Sequence, residues 1–171
     1  QDRRPVTADT VDQLAQFVEV ASPGLLRTAW LLTGSSEAAH ELVQATLVKA
    51  YVRWPQIRSE STMAYCRRIL ANERTDRWRR TRREVPVAEV DTRSAGRSDT
   101  ATSDDRDEVV RLLRGLPEQQ RRVVVLRYYC DLSEDTVADT LGISVGTVKS
   151  SASRALAALR AQLVVQEGEI R

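Results

Sequence analysis

Residues 133–163 read SEDTVADTLGISVGTVKSSASRALAALRAQL, and this stretch predicts two helices joined by a short turn. Ser133 is of a residue type favoured at the helix N-cap. The acidic residues Glu134 and Asp135 follow it in the first turn, where the helix dipole favours negative charge. Gly142 can adopt the left-handed conformation that ends a helix. The stretch therefore predicts a short helix, a tight turn and a second, longer helix.

The second helix of this stretch has one apolar and one polar face. At about 100° per residue, its apolar side chains form one stripe, made of Val145, Val148, Ala152, Ala155, Leu156, Leu159 and Leu163. The opposite face carries Thr147, Ser150 and Arg154, with Lys149 and Ser151 on its flanks. Short polar side chains permit close approach to the major groove, and Lys and Arg bind phosphates and guanine edges. The pattern indicates a DNA-reading helix, although the stretch alone also fits an ordinary hairpin with a solvated polar face.

The composition of the 171-residue chain favours helices. Hydrophobic residues make up 42% of it, with only 7 Gly and 5 Pro. The net charge of +2 is too small to indicate a partner by itself. The sequence has no run of 18 apolar residues and no apolar signal segment after its polar start. We therefore expect a cytoplasmic protein without membrane insertion.

The cysteines and the single histidine argue against a metal site. Cys66 and Cys130 are far apart in the sequence, and with His40 they cannot supply four zinc ligands of the usual spacing. We expect two reduced, buried thiols, and a redox pair is the less favoured alternative. The sequence also lacks a carboxylate cluster with metal spacing and a phosphate-binding glycine loop. No cofactor and no catalytic residue are expected.

The first half of the chain predicts four helices. The first covers residues 10–20, where apolar residues recur at helical spacing. Ser22 followed by Pro23 predicts the start of a second helix, since Pro is favoured at the first helical position. Stop and start signals bound the other elements: Gly34, Ser35 or Ser36, Pro55 and Thr62.

The fourth helix is unusually basic. Residues 67–83 read RRILANERTDRWRRTRR, with eight arginines against Glu73 and Asp76, a net charge of +6. Trp78 lies among the arginines. Arginine with an interleaved aromatic residue suits phosphate binding and stacking on unpaired bases. The pattern favours a nucleic-acid surface over a basic face that is neutralised by the acidic segment after it.

That acidic segment predicts a linker. Residues 84–108 carry eight acidic side chains and three arginines, a net charge of −5, and show no apolar period. Helical periodicity returns in residues 109–116, and Pro117 predicts the start of another helix. Residues 123–126 have strand propensity, but we predict helix there because no partner strand is available.

The predicted fold is all-α, with two small helical domains joined by a flexible acidic linker. The first domain covers residues 8–83, the linker 84–108 and the second domain 109–165. The second domain ends in the helix-turn-helix.

This arrangement and several motifs resemble the extracytoplasmic-function (ECF) sigma factors of the bacterial sigma-70 family, of the actinobacterial type. The first half carries LLTG at residues 31–34, ELVQ at 41–44 and RILAN at 68–72. The second half carries ISVGTVKS at residues 143–150. The resemblance covers about residues 12–163. It implies a protein that binds core RNA polymerase, directs it to promoters and helps to open the DNA.

The resemblance also implies roles for particular residues. The residues that would contact the clamp helices of the largest polymerase subunit are Glu41, Leu42, Gln44 and Lys49. The flap of the second-largest subunit is a further expected partner. The residues that would contact the −10 element are Asn72, Arg74, Arg77, Trp78, Arg79 and Arg80. The side-chain amide of Asn72 would lie beside a base flipped out of the stack. The loop expected to select that base is Ile57, Arg58, Ser59, Glu60 and Ser61. The −35 element falls to Thr147, Lys149, Ser150, Ser151 and Arg154.

One residue departs from the family pattern. His40 stands where family members often have an acid before the Glu of ELVQ, so the strength of polymerase binding is open. Family members are commonly held inactive by an anti-sigma protein, which makes one an expected partner.

Two other functions compete with that of a sigma factor. A stand-alone helix-turn-helix regulator would leave the Arg/Trp helix unexplained. An enzyme on nucleic acid would have only His40 as an imidazole base.

Overall fold

The computed structural model describes residues 8–57, 62–84 and 102–169. The described residues form seven α-helices and no strand. The first unit consists of α1 (Ala8–Thr33), α2 (Ser36–Arg53) with a 3-10 turn (Trp54–Gln56), and α3 (Thr62–Glu84). The second unit consists of α4 (Thr102–Arg114), α5 (Glu118–Val124) with a π-helical turn (Val125–Tyr129), α6 (Glu134–Leu141) and α7 (Val145–Glu169). The predicted all-α class and the final helix-turn-helix are confirmed.

The predicted break between the first two helices is wrong. Helix α1 continues through Pro23, whose ring is exposed. Proline cannot donate a backbone hydrogen bond. The hydroxyl of the preceding residue, Ser22, donates to the carbonyl of Val18, one turn earlier. The helix persists because it buries a continuous stripe, made of Ala21, Leu25, Ala29 and Leu32.

The caps of the other helices agree with the sequence. The Ser35 hydroxyl accepts the backbone N–H of Ala38 at the start of α2, and Gly34 before it has φ 71°. Helix α5 follows Pro117, as predicted. Residues 123–126 are helical, and the Cys130 N–H then bonds the Val125 carbonyl over five residues, which widens the last turn.

The predicted linker is too long at its C-terminal end. Helix α4 begins at Thr102, so residues 102–108 are helical, and residues 85–101 lie outside the described part of the chain. The acidic residues that suggested a tether, such as Asp104 and Asp105, fall near the N-terminus of α4, where the helix dipole favours them. Leu113 of this helix is buried in a cluster with residues of the first unit, and that contact holds α4 in place.

The two units pack together and share their apolar core. One cluster joins Leu25, Leu32 and Leu70 of the first unit to Leu113 and Val125 of the second. A second cluster packs one residue of α3 against the second unit, and consists of Ala71, Val123, Leu126, Val137, Ala138 and Val148. Each fully buried Leu or Val contributes about 1.5–3 kcal/mol relative to exposure, so this contact is substantial.

A buried arginine donates hydrogen bonds to backbone carbonyls of both units where they meet. The guanidinium of Arg121 in α5 donates from Nε to the Leu113 carbonyl at 2.9 Å and from Nη1 to the Leu32 carbonyl at 3.1 Å. Its Nη2 donates to the carbonyls of Arg114, at 3.3 Å, and Leu116, at 3.1 Å. Carbonyls at the end of a helix lack intrahelical partners, so one side chain satisfies the C-terminal ends of both α1 and α4.

Candidate nucleic-acid interface

The helix-turn-helix is built by two serine caps and one glycine. The Ser133 hydroxyl accepts the N–H of Thr136 at 3.1 Å and begins α6. Gly142 ends α6 with φ 66°, a left-handed conformation that residues with a Cβ rarely adopt. The Ser144 hydroxyl accepts the N–H of Thr147 at 3.1 Å and begins α7. These caps fix the direction in which α7 leaves the turn.

The outer face of α7 carries most of the predicted −35 residues. Lys149, Ser150 and Arg154 are exposed, and Thr147 is half-buried with its hydroxyl 2.8 Å from that of Ser144. The Lys149 ammonium lies 3.6 Å from the carboxylate of Glu134. This pair is exposed, so it contributes little stability and a phosphate can replace the carboxylate. The face presents two cations and short hydroxyls, as a major-groove helix requires.

Ser151 is a correction to the predicted −35 set. Its side chain is only 6% exposed, and its hydroxyl accepts a hydrogen bond from the Gln119 amide at 3.4 Å. Helix α5 packs over this flank of α7. Ser151 therefore positions α7 on α5 and does not lie on the open face.

The predicted −10 amide is turned toward the second unit. Asn72 is half-buried on α3, and its Nδ2 donates to the backbone carbonyl of Thr140 in α6 at 3.1 Å. The structure therefore places Asn72 at the contact between the units and not in an open pocket. The arginines and the tryptophan that follow lie on the C-terminal half of α3, and their side chains fall outside the described part: Arg74, Arg77, Trp78, Arg79 and Arg80.

The predicted specificity loop is described only at its first residue. Ile57 is half-buried, and its N–H bonds the carbonyls of Trp54, at 3.1 Å, and Arg53, at 3.2 Å. The rest of the predicted loop lies outside the described residues: Arg58, Ser59, Glu60 and Ser61.

The predicted polymerase-binding residues divide between surface and core. Glu41, Gln44 and Lys49 are exposed on α2, and the Lys49 ammonium forms an ion pair with Glu73 of α3. Leu42 is a correction, because it is 4% exposed and packs in the core. His40 is exposed, with Nδ1 2.7 Å from the Ser36 carbonyl.

An apolar groove beside these residues was not predicted from the sequence. It runs between α1 and α2, and its lining includes Leu14, Val18, Leu26, Val43, Gln44, Leu47, Val48 and Tyr51. Val48, Tyr51 and Val52 are 58%, 44% and 70% exposed, so α2 has apolar residues on two faces. The second apolar face is the signal that the sequence offered, since a bundle helix needs only one.

A second apolar groove, of about 600 Å³, lies where the units meet. Helices α1, α4 and α7 and the π-helical turn line it, through residues that include Trp30, Leu31, Leu112, Tyr128, Leu159 and Leu163. Leu163 was predicted to be buried but is 44% exposed at the edge of this groove. The apolar stripe of α7 therefore extends beyond the part of the helix that the other helices cover.

Both cysteines are free thiols. Burial raises the pKa of Cys66 to about 11. Burial also raises the pKa of Cys130, partly offset by the Thr28 hydroxyl and the Arg67 guanidinium beside it. Thiols with raised pKa values react slowly, because the thiolate is the nucleophile.

Two other features are absent among the residues that the structure describes. No group of three or more His, Cys, Asp or Glu side chains there is placed to hold a metal ion. None of the helices there has both the length and the apolar character that a membrane span requires.

The fold and this surface define a class of protein: an all-helical DNA-binding protein with a helix-turn-helix in its second unit. Two family models match the chain, Sigma-70 region 2 over residues 17–84 and Sigma-70, region 4 over residues 106–159. The RNA polymerase sigma-E factor of Streptomyces avermitilis is 37% identical over 161 residues, which cover 93% of this chain and 89% of that protein. The ECF RNA polymerase sigma factor EcfG of Rhodopseudomonas palustris is 30% identical, and the match covers 92% of this chain and 89% of that protein.

Solved structures agree with these relatives. The sigma factor RpoE of Bartonella quintana, crystallised in complex with the anti-sigma factor NepR, superposes with a TM-score of 0.69 at 28% identity. The superposition covers 88% of this chain and 96% of that one. The chain therefore belongs to the sigma-70 family of RNA polymerase sigma factors, among the ECF factors of the actinobacterial type.

Proposed function

We propose that this sigma factor divides its work among three surfaces: the groove between α1 and α2 for core polymerase, the exposed face of α7 for the −35 element, and α3 for an unpaired −10 base. Sigma factors are transcription initiation factors and not enzymes, and they direct polymerase to promoters. The observation that carries the proposal is the capped helix-turn-helix with its cationic outer face on a sigma region 4. It would act in the cytoplasm, with residues 8–83 and 102–165 as its two working domains.

For the −35 element, the proposed contacts are Thr147, Lys149, Ser150 and Arg154. Arg154 is exposed and can bind O6 and N7 of a guanine together. Lys149 is a point charge suited to a phosphate. Buried Ser151 is left out of this set.

For the −10 element, the proposed contacts are Asn72 and the basic segment after it, with residues 57–61 selecting the base. An amide carries one donor group and one acceptor, so it can pair with the Watson–Crick edge of a base that has left the stack. Arg74, Arg77, Arg79 and Arg80 would hold the backbone of the strand, and Trp78 would stack on a base.

For core polymerase, we propose that an amphipathic pair of helices, the clamp helices of the largest subunit, docks in the groove between α1 and α2. The exposed apolar side chains Val48 and Tyr51 supply contact area, and Glu41, Gln44 and Lys49 supply polar contacts at the edge. Leu42 supports this surface from beneath. The second unit would meet the flap of the second-largest subunit.

An anti-sigma protein is the proposed regulatory partner. The Bartonella relative was solved with one, NepR. The groove of about 600 Å³ between the units offers apolar area for such a protein.

Run-off transcription with purified core polymerase on a promoter library tests the function. We expect promoter-selective transcripts that need this chain, and a reduced yield of open complexes with Asn72→Ala at unchanged affinity for duplex DNA. Gln162→Ala, on the far part of α7, is the matched amide control. Specific duplex binding without polymerase, and no transcript with it, would contradict the proposal and favour a stand-alone regulator.

A further inference from the structure

The exposed face of α7 has an acidic neighbour that the proposed −35 contacts do not use. The carboxylate of Glu134, in the first turn of α6, lies 3.6 Å from the ammonium of Lys149. Both side chains are open to solvent in part, 36% for Glu134 and 63% for Lys149. An anion of the protein therefore already occupies one side of a cation that is proposed to bind DNA.

The fold keeps this acid in place. The Ser133 hydroxyl begins α6 by accepting the Thr136 N–H, and the dipole of that helix favours a negative charge in its first turn. The buried side chains of Val137 and Val148 pack α6 and α7 in one cluster, so packed helices carry both members of the ion pair. Helix α6 has three acidic residues and no Lys or Arg, so its side chains offer a phosphate no cation.

Duplex DNA would bring a second anion to Lys149. In a helix-turn-helix the first helix crosses the DNA backbone, while the second enters the major groove. Because the Lys149 ammonium lies against Glu134, a phosphate that binds it displaces the carboxylate and stays beside it. The phosphate contact therefore costs the existing ion pair and holds two negative charges at close range.

We propose that Glu134 sets the strength of duplex binding at the −35 element by competing with DNA phosphate for Lys149, and that it does so without selecting the base. The proposal rests on the −35 role proposed above for α7. A phosphate contact carries no sequence information, so the competition weakens binding to every −35 sequence by the same factor. Base preference stays with contacts to base edges, for which Arg154 is the proposed residue.

The variant Glu134→Gln tests the competition, because it removes the charge and keeps the length of the side chain. We expect polymerase holoenzyme with this variant to bind −35 duplexes about threefold to fivefold more tightly at about 0.1 M salt, the factor that an exposed ion pair of this kind provides. Competition binding to duplexes randomised at the −35 element measures the change. The gain should be equal for the best sequence and for a scrambled one.

Salt dependence gives a second measurement, which a purely structural change would not alter in this way. The logarithm of the binding constant falls linearly with the logarithm of the salt concentration, with a slope of about −0.9 for each phosphate neutralised. Release of Lys149 from Glu134 should steepen this slope by up to about 0.9. The advantage of Glu134→Gln should therefore shrink as salt is added.

Two control experiments isolate the ion pair. Asp135→Asn removes one charge from the same turn of α6 at the next residue, which is exposed, and should change binding by less than about 1.5-fold. An effect that came from the stability of α6 would appear in this variant too. In a chain that already carries Lys149→Gln, the effect of Glu134→Gln should be equally small, because the cation for which the carboxylate competes is gone.

The outcomes separate this proposal from the function on which it rests. If Arg154→Ala weakens duplex binding but Glu134→Gln leaves it unchanged or weakens it, the −35 surface stands and the proposed competition is wrong. A gain confined to some −35 sequences would also overturn the proposal, because Glu134 would then influence the choice of base. If neither Arg154→Ala nor Lys149→Gln changes duplex binding, α7 is not the −35 surface, and the proposed function of that face falls together with the competition.

Discussion

At the scale of single residues, Arg121 has a structural role, because its guanidinium donates to four backbone carbonyls. Replacing it with leucine would remove donors from four carbonyls in a buried site, and an unsatisfied buried acceptor costs about 1–3 kcal/mol. We expect Arg121→Leu to lower the free energy of unfolding by at least about 3 kcal/mol, measured by urea titration with circular dichroism. Arg160→Leu, at an exposed position of α7, should change it by under about 0.5 kcal/mol. Equal small effects for both variants would contradict the structural role of Arg121.

Arg154 carries a sharper functional expectation. If it pairs with a guanine, Arg154→Ala should weaken the best −35 sequence by about 1–3 kcal/mol and relax the preference at one base position. Competition binding of polymerase holoenzyme to a randomised −35 library measures both quantities. Arg160→Ala on the same helix is the control. Equal weakening on every sequence would make Arg154 a phosphate contact.

The buried thiol of Cys66 predicts a dependence of stability on pH. Its pKa is about 11 in the folded chain, against 9.0 for an ordinary cysteine thiol, so the unfolded chain loses this proton first as the pH rises. The contribution of Cys66 to stability is therefore complete below pH 9.0 and is lost between pH 9.0 and about 11. From about pH 8 to about pH 10, wild type should lose roughly 1 kcal/mol more than Cys66→Ala in urea titrations. Parallel losses in the two proteins would contradict this assignment.

At the scale of helices, local signals predicted the boundaries that local chemistry sets. Ser35, Ser133, Gly142 and Thr62 lie at helix ends, because caps and left-handed glycines act within four residues of themselves. Pro23 gave the wrong boundary, since its local effect was outweighed by a buried stripe that extends on both sides of it. Tertiary packing overrides propensity there.

The same division applies to the candidate site. Exposed Lys149, Ser150 and Arg154 could be predicted from the helical period of α7 alone. Ser151 could not, because its burial depends on Gln119, 32 residues away. The contact of Asn72 with Thr140 joins positions 68 residues apart and leaves no local pattern in the sequence.

The proline of α1 also yields a prediction about the helix as a unit. Pro23 lies mid-helix with an exposed ring, so alanine should fit without strain and restore a backbone hydrogen bond. We expect Pro23→Ala to raise the free energy of unfolding by about 1–3 kcal/mol in urea titrations. Val20→Ala, at a position 82% exposed on the same helix, should have little effect. A destabilised Pro23→Ala protein would show that packing on α2 requires a local distortion at the proline.

At the scale of the whole molecule, the shared core makes the packed arrangement of the two units the expected state of the free chain. Most of its buried apolar residues belong to clusters that include both units, so separating the units would expose apolar surface on each. Separating the units is therefore unfavourable in water unless something else covers the exposed apolar area. The chain differs in this respect from two independent domains joined by a flexible linker, because there the linker alone would set the distance between the domains.

This difference can be measured by small-angle X-ray scattering of the free protein. A compact chain of 171 residues has a radius of gyration of about 16 Å. We expect the wild-type protein to lie within about 2 Å of this value, because the shared apolar core holds the two units together. A radius of gyration several ångströms larger than this value would mean that the units separate on their own. In that case the linker, and not the shared apolar core, would set the distance between the units that polymerase meets.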